Sequence, residues 1–147
     1  MPVKKYKKLV CGNCLKTNKL FICESTQAMG FPDLDNRPNG DLREAINYIH
    51  VNKCKNCGFC NTDLKEYPYV RMTKSIIKSE AYKEQLNNKQ FPDMANQFLC
   101  KSMLLERNQA QIEDSAWATL YAAWNCDDSN AYEQSKICRK RAIDLFE

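Results

Sequence analysis

An α+β fold is predicted, with a small antiparallel sheet in residues 1–66 and an all-helical part over residues 67–147. Three observations predict it. Short apolar and aromatic runs alternate with turn residues in the first half. Two Cys-x-x-Cys pairs punctuate those turns, and beyond Tyr67-Pro68-Tyr69 the apolar residues recur at helical spacing. The length of 147 residues allows one domain or two small ones, with the boundary expected near residues 63–71. An apolar fraction of 44% is enough for a packed core, and a charged fraction of 27% argues against global disorder.

The elements follow in order. Residues 5–10 and 19–22 read as two strands of a hairpin whose tip is Cys11-Gly12-Asn13-Cys14. Residues 30–40, rich in proline, glycine and acids, form a loop. Asp41 and Glu44 have capping-box spacing, so a helical turn begins at Asp41. Residues 46–53 then run as a strand into Cys54. A first helix is expected within residues 73–87. A second starts near Pro92, with Ala95, Phe98, Leu99, Met103 and Leu105 mostly on one face. A third, over 113–126, carries Trp117, Leu120, Tyr121 and Trp124 on one stripe. Residues 127–130 form a turn, and the last helix covers 131–146 with Cys138, Ala142 and Leu145 aligned. The last two helices make an αα-hairpin of about 34 residues, the length of a tetratricopeptide (TPR) unit. This part is therefore TPR-like, although Arg139 stands where such a repeat usually has an aromatic.

The cysteines carry the clearest chemistry. Cys11 and Cys14 form one C-x-x-C pair, and Cys54 and Cys57 form another, 39 residues further on. Two thiolates at that spacing aim at a common point, and two such knuckles complete a closed tetrahedral zinc site. The first part thus reads as a zinc ribbon with a long inserted loop, holding one structural Zn²⁺. Gly58 suits the second knuckle, where a positive φ is common. Neither a thioredoxin-like βαβ context nor ferredoxin spacing accompanies the pairs. Cys60 continues the three-residue spacing of Cys54 and Cys57 and could replace Cys57. Cys23 could also join the site. Cys100, Cys126 and Cys138, like Cys23, have no partner at ligand spacing and suit the core. The single histidine, His50, is expected on a strand surface.

Charge and targeting bound the partners. Residues 1–20 hold six lysines and no acid, whereas residues 91–147 carry a net charge of −3. Lys4, Lys5, Lys7 and Lys8, with Tyr6 among them, could contact nucleic acid or form an ordinary solvated face. No apolar run approaches the ~18 residues that span a bilayer, so no membrane partner is expected. The basic N-terminus has no apolar stretch behind it, so no secretory signal is read there. Nine cysteines in that setting imply reduced thiols and a cytoplasmic location.

The segment from Phe31 to Pro38 places Asp33, Asp35 and Arg37 within five residues. It is either a turn stabilised by its own polar groups, with Leu34 buried, or a ligand site in which the three converge. Cys11–Cys14, Pro32-Asp33-Leu34-Asp35-Asn36-Arg37-Pro38, Cys54–Gly58 and Ala122-Ala123-Trp124-Asn125-Cys126-Asp127-Asp128 follow in this order. Together they resemble a family of uncharacterised bacterial proteins, a domain of unknown function with a zinc ribbon and a TPR-like tail. The resemblance implies a bacterial cytoplasmic protein with the same four zinc ligands, and it implies no activity. Family knuckles tend to read Cys-Pro-x-Cys-Gly. Here Gly12 and Lys55 replace the prolines, and Leu15 replaces the first glycine.

Three functions are therefore expected as alternatives. One is a non-enzymatic adaptor whose helical part binds a protein or peptide. Another is nucleic-acid binding by the ribbon. The third is an enzyme or ligand binder that uses Asp33, Asp35 and Arg37.

Overall fold

The computed structural model describes residues 3–25, 30–66, 72–107 and 111–147. Two small antiparallel sheets and six helices make up these residues. Strands β1 (Val3–Val10) and β2 (Thr17–Ser25) form the first sheet, longer at both ends than the sequence suggests. Tyr6 pairs with Phe21 and Lys8 with Lys19. Alternation turns Leu9 and Asn18 inward, where both are buried. The second sheet is a minimal pair, β3 (Asn52–Lys53) and β4 (Cys60–Asn61), flanking the second cysteine turn.

Between the sheets lies α1 (Asp41–Ile49), where a strand over residues 46–53 was expected. The short run into the second cysteine turn suggests that strand. Leu42, Ala45, Ile46 and Ile49 also mark a helical stripe, however, and burial of Ala45 and Ile46 selects the helix. Asp41 is the first helical residue, and Gly40 caps the helix without a side-chain bond, so the expected capping box does not form. His50 caps the other end of α1, half-buried, and is not on a strand surface.

The predicted helix over 73–87 is two helices, α2 (Met72–Lys78) and α3 (Glu80–Leu86). Ser79 separates them in an extended conformation. Its Oγ accepts from the Tyr82 amide at 3.3 Å and donates to the Ile76 carbonyl at 2.6 Å. Helix α4 (Asp93–Leu105) starts just after Pro92 and buries Ala95, Phe98 and Leu99. Helix α5 (Ile112–Asp128) continues two residues into the expected turn, which shrinks to Ser129 and Asn130, the latter at φ 59°. Helix α6 (Tyr132–Phe146) packs antiparallel on α5.

Helix α5 sits between α4 and α6. Its small residues Ser115, Ala116, Ala118, Thr119, Ala122 and Ala123 let both neighbours approach closely. The stripe Trp117, Tyr121 and Trp124 forms an aromatic cluster with His50, Phe98 and Phe146, in which Trp124 and Phe98 are buried in the core. Buried Cys11, Val51, Cys54, Phe59 and Leu64 join Tyr82, Phe98, Ala122 and Trp124 in one apolar cluster. The expected boundary region is partly outside the described residues, since 67–71 are not among them. No helix of the described residues is long and apolar enough to cross a membrane.

Candidate metal centre

The two cysteine turns repeat one backbone pattern. The Cys11 amide donates to the Lys16 carbonyl at 2.9 Å, and the Leu15 amide returns to the Cys11 carbonyl at 2.8 Å. Cys54 and Phe59, with Gly58 and Cys54, match these at 2.9 and 3.0 Å. Each turn thereby points both of its sulfurs the same way.

Across the turns, Cys11 Sγ lies 3.7 Å from Cys57 Sγ, and Cys14 Sγ lies 3.6 Å from Cys54 Sγ. The four ligand atoms are all within 4.8 Å of one another. A tetrahedron with Zn–S bonds of ~2.3 Å has edges of about 3.8 Å, so the cluster fits a metal of that size with little movement. The ligand turns are themselves supported. Asn13 Nδ2 donates to Cys57 Sγ at 3.4 Å and Asn18 Nδ2 to Cys54 Sγ at 3.3 Å, while Asn18 Oδ1 accepts from the Lys55 amide at 2.8 Å. Asn13 and Asn18 carry no metal-ligand signal in the sequence, which is why only the fold reveals them. Burial pushes the Cys11 thiol up to about 12. Cys14 is also pushed up by burial, but hydrogen bonds from Asn56 and the Lys16 amide outweigh this and draw it down to about 6.

Gly12 and Gly58 meet specific demands. A Cβ on Gly12 would lie 2.3 Å from the Glu66 carbonyl oxygen, and its amide donates to the Leu64 carbonyl at 2.8 Å. Proline, which has no N–H, could not make that bond. Gly58 adopts φ 83°, and so, without being glycine, does Leu15 at φ 65°.

The other thiols stand apart from the four. Cys60 is buried, donates to the Gly58 carbonyl at 3.4 Å and lies against Cys100. Cys126 and Cys138 meet across α5 and α6, and Cys23 is half-buried on β2.

The acidic loop docks on the far end of the chain. Within it, the Asp33 amide bonds the Arg37 carbonyl at 2.8 Å, and Asn36 turns at φ 64°. Its side chains look outward from the turn and do not pair with one another. Asp33 accepts from Arg43 at 2.9 Å. Asp35 accepts from Trp124 Nε1 at 2.6 Å and Arg139 at 2.8 Å. Arg37, buried over the Trp124 ring, grips Asp128 with two bonds of 3.0 and 2.6 Å. Burial would raise the Asp35 carboxyl, but Arg139 and Trp124 hold it below the usual range. Asp33, Asp35 and Arg37 thus serve separate partners: Arg43, Trp124 with Arg139, and Asp128. Leu34, expected to be buried in a structural turn, is instead fully exposed.

The lysines divide by strand alternation. Lys4 and Lys8 share the face of Tyr6, while Lys5 and Lys7 share the phase of Leu9. Lys4 is ion-paired to Glu44 at 3.0 Å. Compared with protein-family models, curated proteins and solved structures, the chain matches none.

Proposed function

We propose that the chain is a non-enzymatic adaptor, built on one structural zinc ion, that presents a fixed loop to a protein or peptide. The carrying observation is the closed cluster of four thiols. With every position of a tetrahedron supplied by the protein, the ion would hold the fold and leave no place for a substrate. The softness of four thiolates favours zinc among the abundant divalent ions. The order of motifs supports kinship with the uncharacterised bacterial zinc-ribbon proteins, and the α5–α6 hairpin supports a TPR-like tail. Nine free thiols suit a reducing, cytoplasmic setting.

The loop supplies the adaptor surface. Phe31 is 92% exposed and Leu34 is fully exposed, on a turn pinned by Arg43, Arg139 and Asp128. A backbone already fixed by these contacts loses little freedom when a partner covers the apolar side chains it carries. A pull-down from nuclease-treated lysate with wild type and Phe31→Ser/Leu34→Ser tests this. Proteins captured by wild type and lost by the variant, at unchanged melting temperature, support the adaptor. Identical capture by both removes the loop from the interface.

A further inference from the structure

We propose that the outer face of the β1–β2 hairpin is a binding surface for single-stranded nucleic acid. The proposal takes the metal-held fold as given and is independent of the loop's partner. Two neighbouring rungs of the hairpin carry it. On one, Tyr6 and Phe21 stand directly opposite and stack with ring centroids 3.9 Å apart, yet are 55% and 40% exposed. On the next rung of the same face, about 7 Å along the strands, Lys8 stands directly opposite Lys19.

That second rung is costly as structure. Like charges directly opposite one another weaken a strand pair. A two-stranded sheet is marginal to begin with, and Glu44 of α1, which reaches this face, pairs with Lys4 and not with these two lysines. Neither lysine forms an ion pair among the described residues. Lys55 adds to the charge, its Nζ lying 3.5 Å from the Lys19 carbonyl. Lys19 Nζ sits 4.9 Å from the Tyr6 ring centroid, so cation and aromatic form one continuous patch.

The chemistry selects the occupant. Lysines alone would suit any polyanion. Exposed rings beside them suit a polyanion that also offers flat apolar faces, as unpaired bases do. A duplex hides those faces, and an acidic peptide lacks them.

Fluorescence anisotropy of the zinc-loaded protein tests the proposal, using labelled oligothymidine of about ten nucleotides, a matched duplex and polyglutamate. The single strand should bind most tightly, with affinity falling steeply as salt rises. Lys8→Gln/Lys19→Gln should lower the slope of log K against log salt by about 1.4. The same variant should melt no lower than wild type, because a repulsion is removed. Tyr6→Leu, which keeps an apolar strand residue, should weaken single-strand binding roughly tenfold. Folded, zinc-loaded protein that binds no single strand at low salt overturns the proposal. So does equal binding of duplex or polyglutamate with no effect of Tyr6→Leu. Neither result touches the adaptor reading, which stands or falls with Phe31 and Leu34.

Discussion

Leu15 and Gly58 occupy the same place in the two cysteine turns, and both adopt the left-handed backbone that β-carbons resist. Leu15→Gly should therefore stabilise the zinc-loaded protein by about 0.5–1 kcal/mol, the relief of strain being partly offset by the greater freedom of glycine in the unfolded chain. Gly58→Ala should do the reverse, costing about 1–2 kcal/mol, since its Cβ would also lie 3.0 Å from Leu86 Cδ2. Urea midpoints of the two variants check both signs, and a lower midpoint for Leu15→Gly would refute the strain argument. Lys101 offers a second test. Its buried ammonium donates to the His50 carbonyl at 2.7 Å and Thr62 Oγ1 at 2.5 Å, and burial lowers its pKa to about 8, Asp114 offsetting only part of this. Below about 8 both folded and unfolded chains carry the charge, and the folded one bears its desolvation. Between about 8 and the ordinary 10.5 the unfolded chain still holds a proton that the folded chain has released, so stability rises with pH across that window. Its full extent is on the order of 3 kcal/mol. Lys101→Met should lack this rise. Denaturation of both proteins at neutral and alkaline pH measures it, and parallel responses would show that Lys101 does not titrate as described.

At the scale of elements, the end of α5 shows how two distant segments complete each other. Asp127 and Asp128 lie in its last turn, where the helix dipole disfavours negative charge. Arg139 pairs with Asp127 and Arg37 with Asp128, and both arginines work through the loop or beside it. Asp35→Asn should lower stability by about 0.5–2 kcal/mol, because Trp124 Nε1 keeps an acceptor while Arg139 loses one of its two charge partners and keeps Asp127. Arg37→Ala should cost more, about 2–4 kcal/mol, since it also empties a buried position over Trp124 and leaves Asp128 unpaired. Thermal melts rank the two; equal losses would refute the larger share given to Arg37 and its two hydrogen bonds to Asp128. The sequence marks both segments as unusual but not as partners, because no local rule links residues 91 positions apart. Local rules serve better where the chemistry itself is local. Chelation by Cys-x-x-Cys is decided within four residues, so Cys11, Cys14, Cys54 and Cys57 are legible from spacing alone. Helix α1 is not legible locally, because a stretch this short fits either period and only packing decides between them. The α2–α3 break is legible in principle, since Ser79-Glu80 is an ordinary helix start set inside a longer helical pattern.

For the whole molecule, the metal centre and the helices share one buried cluster, so removal of the ion should not stay local. Purified protein should contain about one zinc per chain, and a strong chelator should lower the melting temperature of the helices together with that of the ribbon. Elemental analysis and helical circular dichroism decide this. Iron with visible absorbance, or full helicity at an unchanged melting temperature after metal removal, would count against it. Cys60→Ser should retain the ion, as its thiol faces Cys100 and the Gly58 carbonyl. The docked loop has a further consequence, for synthesis on the ribosome. All four cysteines have been made once residue 57 is added, but Arg139 follows Asp35 by 104 residues. Arg139 also follows Cys57 by 82 residues, a delay of roughly 4–16 seconds at ~5–20 residues per second. For that interval all four cysteines exist while Asp35 still lacks Arg139 to close upon. The clasp therefore closes only after both cysteine turns exist, and it joins segments 104 residues apart.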